Sequence, residues 1–304
     1  FEVVTMLALL YFAKEAYPDL ILWEVGLGGR LDSTNVVHPI LTVITNVGHD
    51  HMNLLGESIK EIAAEKAGII KAGVPLVTAV QDEEALAVLN QVAKEKKATL
   101  YRMGDAFHVE LHGQDGEGST FSYRSWFNRF DGLHIRLKGH HQVLNAGLAL
   151  MGLEILRQYF AIVWEEEELR QGLAETAWPG RMEEIPHETT VVLDGAHNPE
   201  GVEALVQALR DHYPEKRWTV LFGALKEKPV IQMLKVFEDA PVQQVILTQF
   251  EGSPRANTAK ELEETVSQAQ WQPSFKLAVN EDWEEAFLNA VQAGEAVLFT
   301  GSLY

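Results

Sequence analysis

One ionisable side chain lies near the end of a continuous apolar run. Glu24 belongs to the run 20–25, and the glycine-rich turn 26–29 follows it. Such runs are typical of strands that are buried on both faces of a parallel sheet, and these sheets bind ligands at the carboxyl ends of their strands. Because an unpaired buried carboxylate is costly, Glu24 predicts a metal or substrate site. The alternative is a structural carboxylate satisfied by a hydrogen bond.

Lys66 lies on the apolar face of a predicted helix. Ser58 and Glu61 have the spacing of a capping box, which predicts a helix that begins at Ile59. Apolar residues then recur at helical spacing, and Lys66 falls among them. A lysine in this position commonly buries its stem and extends its ammonium group to solvent. That interpretation stays open beside a functional one.

A second candidate loop runs from Asp194 to Pro199. Asn198 as N-cap and Pro199 at the first helical position predict a helix that begins there. The amino end of a helix attracts anions, and Asp194 and His197 flank that point. Single histidines are more often structural, and the interpretation as structural is kept for His49, His140, His141 and His187.

The elements around these side chains predict an α/β protein of two domains. At 304 residues, the chain exceeds the size of most single cores. Residues 1–179 are expected to form a parallel-sheet domain with strands over 20–25, 40–45 and 74–80. A helix over 1–16 covers this sheet, a small antiparallel sheet lies over 100–138, and the segment 139–145 leads into a long apolar helix that ends near residue 159. Residues 180–304 alternate strand and helix, which predicts a doubly wound, Rossmann-like domain. Its five predicted strands are 189–193, 218–222, 244–250, 275–279 and 296–300. The boundary is placed in the proline- and glycine-containing segment 178–181.

Composition excludes several classes of site and partner. The chain contains no cysteine, so disulfides, thiolate metal sites and cysteine nucleophiles are excluded. The absence of disulfides fits a cytoplasmic protein. No apolar run reaches the roughly 20 residues that a membrane span requires. The net charge of −19 argues against nucleic acid, because binding to its backbone needs a basic surface. Small anionic substrates remain compatible with a few focused lysines and arginines.

Six motifs are distributed over essentially the whole chain. They are residues 24–35, the Asp50-His51 loop that ends at 56, residues 65–71, Trp178-Pro179-Gly180-Arg181, residues 194–199 and residues 300–304. In order and spacing they resemble the motifs of the folylpolyglutamate synthase and dihydrofolate synthase family, which is related to the Mur ligases. The resemblance implies a central ATPase-like domain followed by a glutamate-ligase domain.

The reaction that the resemblance implies is an ATP-dependent ligation in folate polyglutamylation and one-carbon metabolism. ATP phosphorylates a carboxylate, and the amino group of L-glutamate then attacks the acyl phosphate. The implied substrates are ATP, L-glutamate and a folate or dihydropteroate, and the implied cofactor is Mg²⁺. Glu24, His51 and a carbamylated Lys66 would bind the magnesium ion. A histidine is unusual for so hard an ion, and His51 is assigned from the resemblance alone.

The resemblance assigns further roles on both sides of the boundary. Lys66, Asp194 and His197 would be catalytic. Asn145 would contact adenine, and Arg181 with Asp194 would bind ATP. Asp32, His197 and Ser302 would bind substrate, with a plain loop cap as the alternative for Asp32. The resemblance also favours a monomer.

One departure from the family pattern concerns the phosphate-binding loop. The family carries a glycine-rich loop with lysine and serine or threonine upstream of the Glu24 run, and residues 1–23 contain no such motif. Two alternatives stay open. One is a Mur-type ligase that acts on a peptidoglycan precursor, although the motifs 178–181 and 300–304 favour folate; the other is a non-catalytic nucleotide- or folate-binding module that keeps the scaffold without the phosphate loop.

We expect a polypeptide that begins at Phe1 to have little or no ligase activity, because its sequence contains no motif that would hold the β and γ phosphates of ATP. ADP release that depends on ATP and glutamate should be measured on this polypeptide and on one extended upstream. Robust turnover by the shorter polypeptide would refute the expectation.

Overall fold

The computed structural model describes residues 1–48 and 52–302, and the chain forms two compact units. Unit 1 comprises Phe1–Val109, Tyr123–Phe130 and Leu144–Trp164. Unit 2 comprises Glu110–Ser122, Asp131–Val143 and Glu165–Tyr304. These units interleave along the sequence, whereas the predicted boundary at 179/180 divides the chain once; that boundary stays a prediction.

The described elements alternate along most of the chain. The helices are α1 (Glu2–Tyr11), α2 (Met52–Leu55), α3 (Ile59–Ala67), α4 (Glu83–Lys96), α5 (His140–Phe160), α6 (Glu166–Glu175), α7 (Pro199–His212), α8 (Val230–Val236), α9 (Ala259–Gln268) and α10 (Trp283–Gln292). The strands are β1 (Thr42–Ile44), β2 (Leu76–Thr78), β3 (Leu100–Arg102), β4 (Phe107–Asp115), β5 (Gly118–Ser125), β6 (Arg129–Ile135), β7 (Glu183–Ile185), β8 (Val191–Leu193), β9 (Trp218–Phe222), β10 (Val242–Leu247), β11 (Lys276–Val279) and β12 (Ala296–Thr300). No helix of the described ranges has the length and hydropathy of a membrane span.

The sheet of unit 1 is parallel, in the order β1-β2-β3. Helices α3 and α4 pack in its core, which includes Ile62, Leu76 and Leu89, each fully buried. The predicted strands over 40–45 and 74–80 are confirmed as the shorter β1 and β2. The third strand, β3, is not predicted as part of this parallel sheet, because residues 100–138 are predicted to form the antiparallel sheet.

The prediction of a buried strand over residues 20–25 is wrong for the described chain. These residues form no regular secondary structure and belong to no sheet, and Leu22 is 92% exposed. An apolar run specifies a preference for burial, whereas a strand also needs a neighbouring strand with which to exchange backbone hydrogen bonds. Strand β1 stands at the edge of the described sheet and pairs only with β2 there.

Helix α1 is confirmed, but it does not cover the sheet as predicted. It continues as a π-helical turn over Phe12–Ala16, which ends at Tyr17 in the left-handed region, with φ of 44°. Of its side chains only Thr5 is buried, and Leu7 is 60% exposed. The apolar periodicity therefore predicted the helix correctly and its packing incorrectly, because periodicity does not identify the surface that a helix contacts.

The sheet of unit 2 has the order β11-β10-β9-β12-β8-β7. All neighbours are parallel except β7, which pairs antiparallel with β8. The five predicted strands are confirmed, and the core around Trp218 and Phe222 is fully buried. Strand β7 was not predicted, because three residues are too few to show a period.

Strands β4, β5 and β6 form the small third sheet in that order. They are joined by residues 116–117 and 126–128, and connections this short join only antiparallel neighbours. This agrees with the predicted antiparallel sheet. Helix α5 follows and contributes residues to both units, as does the small sheet.

The predicted capping box is present at the start of α3. The Ser58 side chain accepts a hydrogen bond from the Glu61 backbone N–H, and the Glu61 side chain accepts one from the Ser58 backbone N–H. Two otherwise unpaired backbone donors are thereby satisfied. The capping box fixes the start of the helix that carries Lys66.

Replacing Ser58 with alanine should lower the free energy of unfolding by about 1 kcal/mol, because the N-cap acceptor is lost. Urea unfolding followed by circular dichroism measures the change. The matched control is Ser274→Ala, at an exposed position outside any helix. Equal unfolding free energies for the two variants would contradict the assignment.

Candidate functional site

The centre of the candidate site in unit 2 is Asp194, the first residue after β8. One carboxylate oxygen, Oδ2, accepts the backbone N–H of Met182 at 2.9 Å, and Oδ1 accepts that of Ala196 at 2.9 Å. The side chain therefore joins the turn before β7 to the loop after β8. Sequence spacing alone did not predict this connection.

Arg181 lies in the turn that Asp194 holds. Gly180 adopts a φ of 70°, its N–H donates to Glu183 Oε2 at 2.7 Å, and its carbonyl accepts the N–H of Gly195 at 2.8 Å. Met182, the next residue, has a φ of 48°, which is uncommon for a residue with a side chain. The turn is thus fixed on both sides of Arg181, whose exposed side chain emerges beside Asp194.

Opposing effects act on the pKa of Asp194. Burial raises the pKa of its carboxyl above the ordinary range, while the N–H donors of Met182 and Ala196 and the positive charges of Arg181 and His197 lower it in part. A carboxylate with little water around it interacts strongly with nearby cations. The protonation of Asp194 therefore depends on the charges of Arg181 and His197.

His197 is held at the amino end of α7. Its Nδ1 lies 2.8 Å from the carbonyl oxygen of Gly195, which can only accept, so Nδ1 carries the proton. In the neutral ring Nε2 is then an acceptor, and in the charged ring it is a second donor. The N-cap Asn198 accepts the N–H of Gly201 at 2.7 Å, and Pro199 is the first helical residue, as predicted.

The segment before Ser302 joins the same loop. Gly301 donates its N–H to the carbonyl oxygen of Ala196 at 3.0 Å, and Thr300 Oγ1 donates to that oxygen at 3.3 Å. Gly301 has a φ of 104°, and a Cβ on it would lie 2.3 Å from the carbonyl oxygen of Gly223. Half-buried Ser302 is thereby placed next to the 194–198 loop. The structure thus brings together four predicted residues: Arg181, Asp194, His197 and Ser302.

His141, which is predicted from the sequence to be structural, lies in this region of unit 2. Partial desolvation of its ring lowers its pKa, and the positive charge of Arg181 lowers it further, followed by His140. A neutral imidazole beside Arg181 offers an acceptor that adds no charge. Its position directly before Gln142 in the long helix was the only signal in the sequence.

In unit 1 the structure brings the turn after Glu24 against the helix that carries Lys66. Arg30 donates its backbone N–H to the carbonyl oxygen of Glu65 at 2.8 Å, and its guanidinium pairs with the Glu65 side chain at 2.7 Å. A Cβ on Gly29 would lie 2.9 Å from that carbonyl oxygen and 3.1 Å from that of Lys66. Glycine is therefore required for this close approach.

Glu24 and Lys66 have the chemistry of a ligand-binding pair. Glu24 is exposed and Lys66 half-buried, and neither side chain has a hydrogen-bond or ion-pair partner within residues 1–48 and 52–302. A free carboxylate oxygen fits the preference of Mg²⁺ for hard donors. His51, the third predicted ligand, lies outside the described residues. Among the described residues no three His, Asp or Glu side chains are grouped closely enough to bind a metal.

The Asp32 side chain caps its own loop. It accepts the N–H of Leu27 and the N–H of Thr34, each at 2.9 Å, and also the Thr34 hydroxyl. Burial on its own would raise the pKa of Asp32, but these hydrogen bonds lower it below the ordinary value. The alternative interpretation of Asp32 as a loop cap is therefore present in the structure, and its substrate role stays a prediction.

Asn145 occupies the second turn of α5 and is exposed. It belongs to unit 1, whereas the preceding residues 140–143 belong to unit 2. Its predicted contact with adenine stays a prediction. The helix that carries it is confirmed with nearly the predicted bounds, 140–160.

Two family models match the chain. The model described as "Mur ligase middle domain" matches residues 2–153, and that described as "Mur ligase, glutamate ligase domain" matches residues 180–303. The dihydrofolate synthase/folylpolyglutamate synthase of Bacillus subtilis is 41% identical over 309 residues, an alignment that covers 100% of this chain and 70% of that protein.

Solved structures agree with these similarities. The folylpolyglutamate synthase of Thermotoga maritima matches with a TM-score of 0.84 and 35% identity, over 100% of this chain and 67% of that one. The Mycobacterium tuberculosis folylpolyglutamate synthase, complexed with ADP and AMPPCP, matches with a TM-score of 0.88 and 29% identity, over 99% and 70% of the respective chains.

Replacing Gly301 with alanine should destabilise the 194–198 loop, because its Cβ would overlap the Gly223 carbonyl oxygen. The matched control is Gly294→Ala, which also has a positive φ, 75°, but has no atom within 4 Å of a Cβ. Both variants place a side chain at a positive φ, and only Gly301→Ala adds the overlap. The overlap should therefore lower the free energy of unfolding of Gly301→Ala by roughly 1–3 kcal/mol more than that of the control. Urea unfolding of both variants checks this, and equal losses would contradict the packing argument.

Proposed function

The chain belongs to the folylpolyglutamate synthase and dihydrofolate synthase family of the Mur ligase superfamily, and from this membership we propose that it joins L-glutamate to a folate or to dihydropteroate at the expense of ATP. Enzymes of this family are ATP-dependent carbon–nitrogen ligases. The observation that carries the proposal for this chain is the grouping of Arg181, Asp194 and His197 at the carboxyl end of β8.

The reaction has two steps. The acceptor carboxylate attacks the γ-phosphorus of ATP, which forms an acyl phosphate and releases ADP. The amino group of glutamate then attacks the acyl carbon, loses a proton and expels inorganic phosphate, which leaves an amide. Both steps bring anions together, so they require cations that offset the charge of the transferring phosphoryl group.

The residues of unit 2 fit this requirement. Arg181 would bind ATP phosphates with a guanidinium, the group best suited to bidentate contact with phosphate oxygens. Asp194 holds the turn that presents Arg181, and its own charge would attract the ammonium group of glutamate. His197 offers Nε2 as an acceptor, which fits removal of a proton from that ammonium group.

We extend the proposal to Mg²⁺ in unit 1. Glu24, His51 and a carbamylated Lys66 would hold the ion. The carboxylate of Glu24, which has no hydrogen-bond or ion-pair partner within residues 1–48 and 52–302, supports this set. A carbamate forms when the neutral amine adds CO₂ and loses a proton, so it would convert the Lys66 cation into a carboxylate-like ligand. Bound Mg²⁺ neutralises charge on phosphate oxygens.

The full-length gene product should release ADP only when ATP, glutamate and a reduced folate or dihydropteroate are all present, and the acceptor should gain one glutamyl residue in mass spectrometry. Arg181→Ala should raise the KM for ATP roughly 10- to 100-fold, because a charge-assisted contact is lost. Arg210→Ala, on the exposed side of α7, is the control and should behave like the wild type. Failure with every folate and pteroate acceptor, or transfer to a peptidoglycan precursor instead, would overturn the proposal.

A further inference from the structure

The buried imidazole of His212 has no role in the function proposed above. His212 is the last residue of α7 and is 4% exposed. Its Nδ1 lies 2.5 Å from the carbonyl oxygen of Asp115, and its Nε2 lies 2.9 Å from the backbone N of Gly139 and 3.0 Å from the amide nitrogen of Gln114. One ring therefore connects three segments of unit 2.

These partners fix the tautomer of His212. The N–H of Gly139 can only donate, so Nε2 must accept, and the carbonyl of Asp115 can only accept, so Nδ1 must donate. The amide of Gln114 also faces Nε2 as a donor. A proton on Nε2 would oppose two N–H groups, so the arrangement requires the neutral imidazole with its proton on Nδ1.

Gly139, whose N–H donates to His212, directly precedes α5. Gly139 is buried and has a φ of 103°, and a Cβ on it would lie 2.7 Å from the ring of His141. Its carbonyl accepts the N–H of Gln142 at 2.9 Å, within the first turn of the helix. The direction in which α5 starts is therefore set at Gly139.

The neighbouring residues form a second anchor. Lys138 is 8% exposed and donates to Glu184 Oε2 at 2.9 Å. Tyr213 donates its hydroxyl hydrogen to the same oxygen at 2.7 Å, and the Lys138 ammonium lies 4.8 Å from the centroid of the Tyr213 ring. The consecutive residues His212 and Tyr213 thus hold the consecutive residues Gly139 and Lys138.

We propose that His212 is a positioning residue for nucleotide binding, which acts by holding the Gly139 amide and so the first turn of α5. That turn carries His141 beside Arg181, and Asn145 follows one turn later in the same helix. The inference rests on the nucleotide role proposed for Arg181. His212 itself contacts no reacting group.

The anchor depends on pH because only neutral His212 can accept from Gly139. Burial lowers its pKa below the ordinary 6.5, Lys138 lowers it further, and the Asp115 carbonyl and the charges of Asp211 and Asp115 raise it in part. The folded state therefore favours the neutral ring. The stabilisation is complete above pH 6.5 and is lost as the pH falls through the lowered pKa.

Two substitutions distinguish the roles of the two ring nitrogen atoms of His212. In His212→Gln the side-chain oxygen can reach the place of Nε2 and accept from Gly139 without titrating, whereas in His212→Asn the amide reaches only the place of Nδ1. We expect His212→Asn to raise the Kd for magnesium AMPPCP about 10-fold, because the Gly139 N–H loses its acceptor. His212→Gln should stay within about twofold of the wild type and should no longer weaken in the acid range.

The measurement is calorimetric titration of the full-length gene product with AMPPCP and Mg²⁺ between pH 5 and 8. Val266→Ala, in the core of unit 2, controls for general destabilisation and should leave the Kd unchanged. If the wild type does not bind AMPPCP, the proposed nucleotide function fails. If the wild type binds and Arg181→Ala binds more weakly, but His212→Asn has a wild-type Kd, the inference on His212 fails alone.

The tautomer provides an independent test. Long-range ¹H–¹⁵N spectra at pH 7.5 should show His212 neutral with the proton on Nδ1, which is the less common form of free histidine. A proton on Nε2, or a charged ring at this pH, would overturn the inference whatever the binding data show.

Discussion

The candidate site of unit 2 depends on one carboxylate that accepts two backbone N–H groups. Asp194 holds Met182 and Ala196 at equal distances of 2.9 Å, and so joins the segments on either side of β7 and β8. The left-handed backbone of Gly180 and Met182 is retained because this carboxylate and the Glu183 side chain hold it on both sides. The position of Arg181 follows from that constraint.

A strongly acidic chain can still serve anionic substrates where its cations are fixed in place. Around Asp194 the backbone donors and the charges of Arg181 and His197 offset part of the cost of burying a carboxylate, and its pKa stays raised. Around Lys138 the same balance is reached with Glu184 and Tyr213, which satisfy the ammonium group. In both places charge is paired with an opposite charge and with hydrogen bonds, which is the condition for burying it.

The sequence determined most elements of unit 2 because their signals are local. Strands β9 and β12 have the predicted bounds, and Asn198 with Pro199 begins α7 as predicted. In unit 1 the capping box at Ser58 and Glu61 was equally clear. By contrast, the run 20–25 reads as a strand in the sequence and belongs to no sheet in the described chain, because strand pairing depends on a neighbour that a local pattern cannot specify.

The sequence by itself determined the fold class, the family and the candidate residues, since motif order and apolar periodicity survive without coordinates. Only the tertiary structure decided which of these residues share a site. Asp194 reaches back to Met182, Gly301 reaches Ala196, and His212 holds Gly139, across separations of 12, 105 and 73 residues (194 − 182, 301 − 196 and 212 − 139). Such contacts are set by how whole elements pack, and no local sequence pattern encodes that packing.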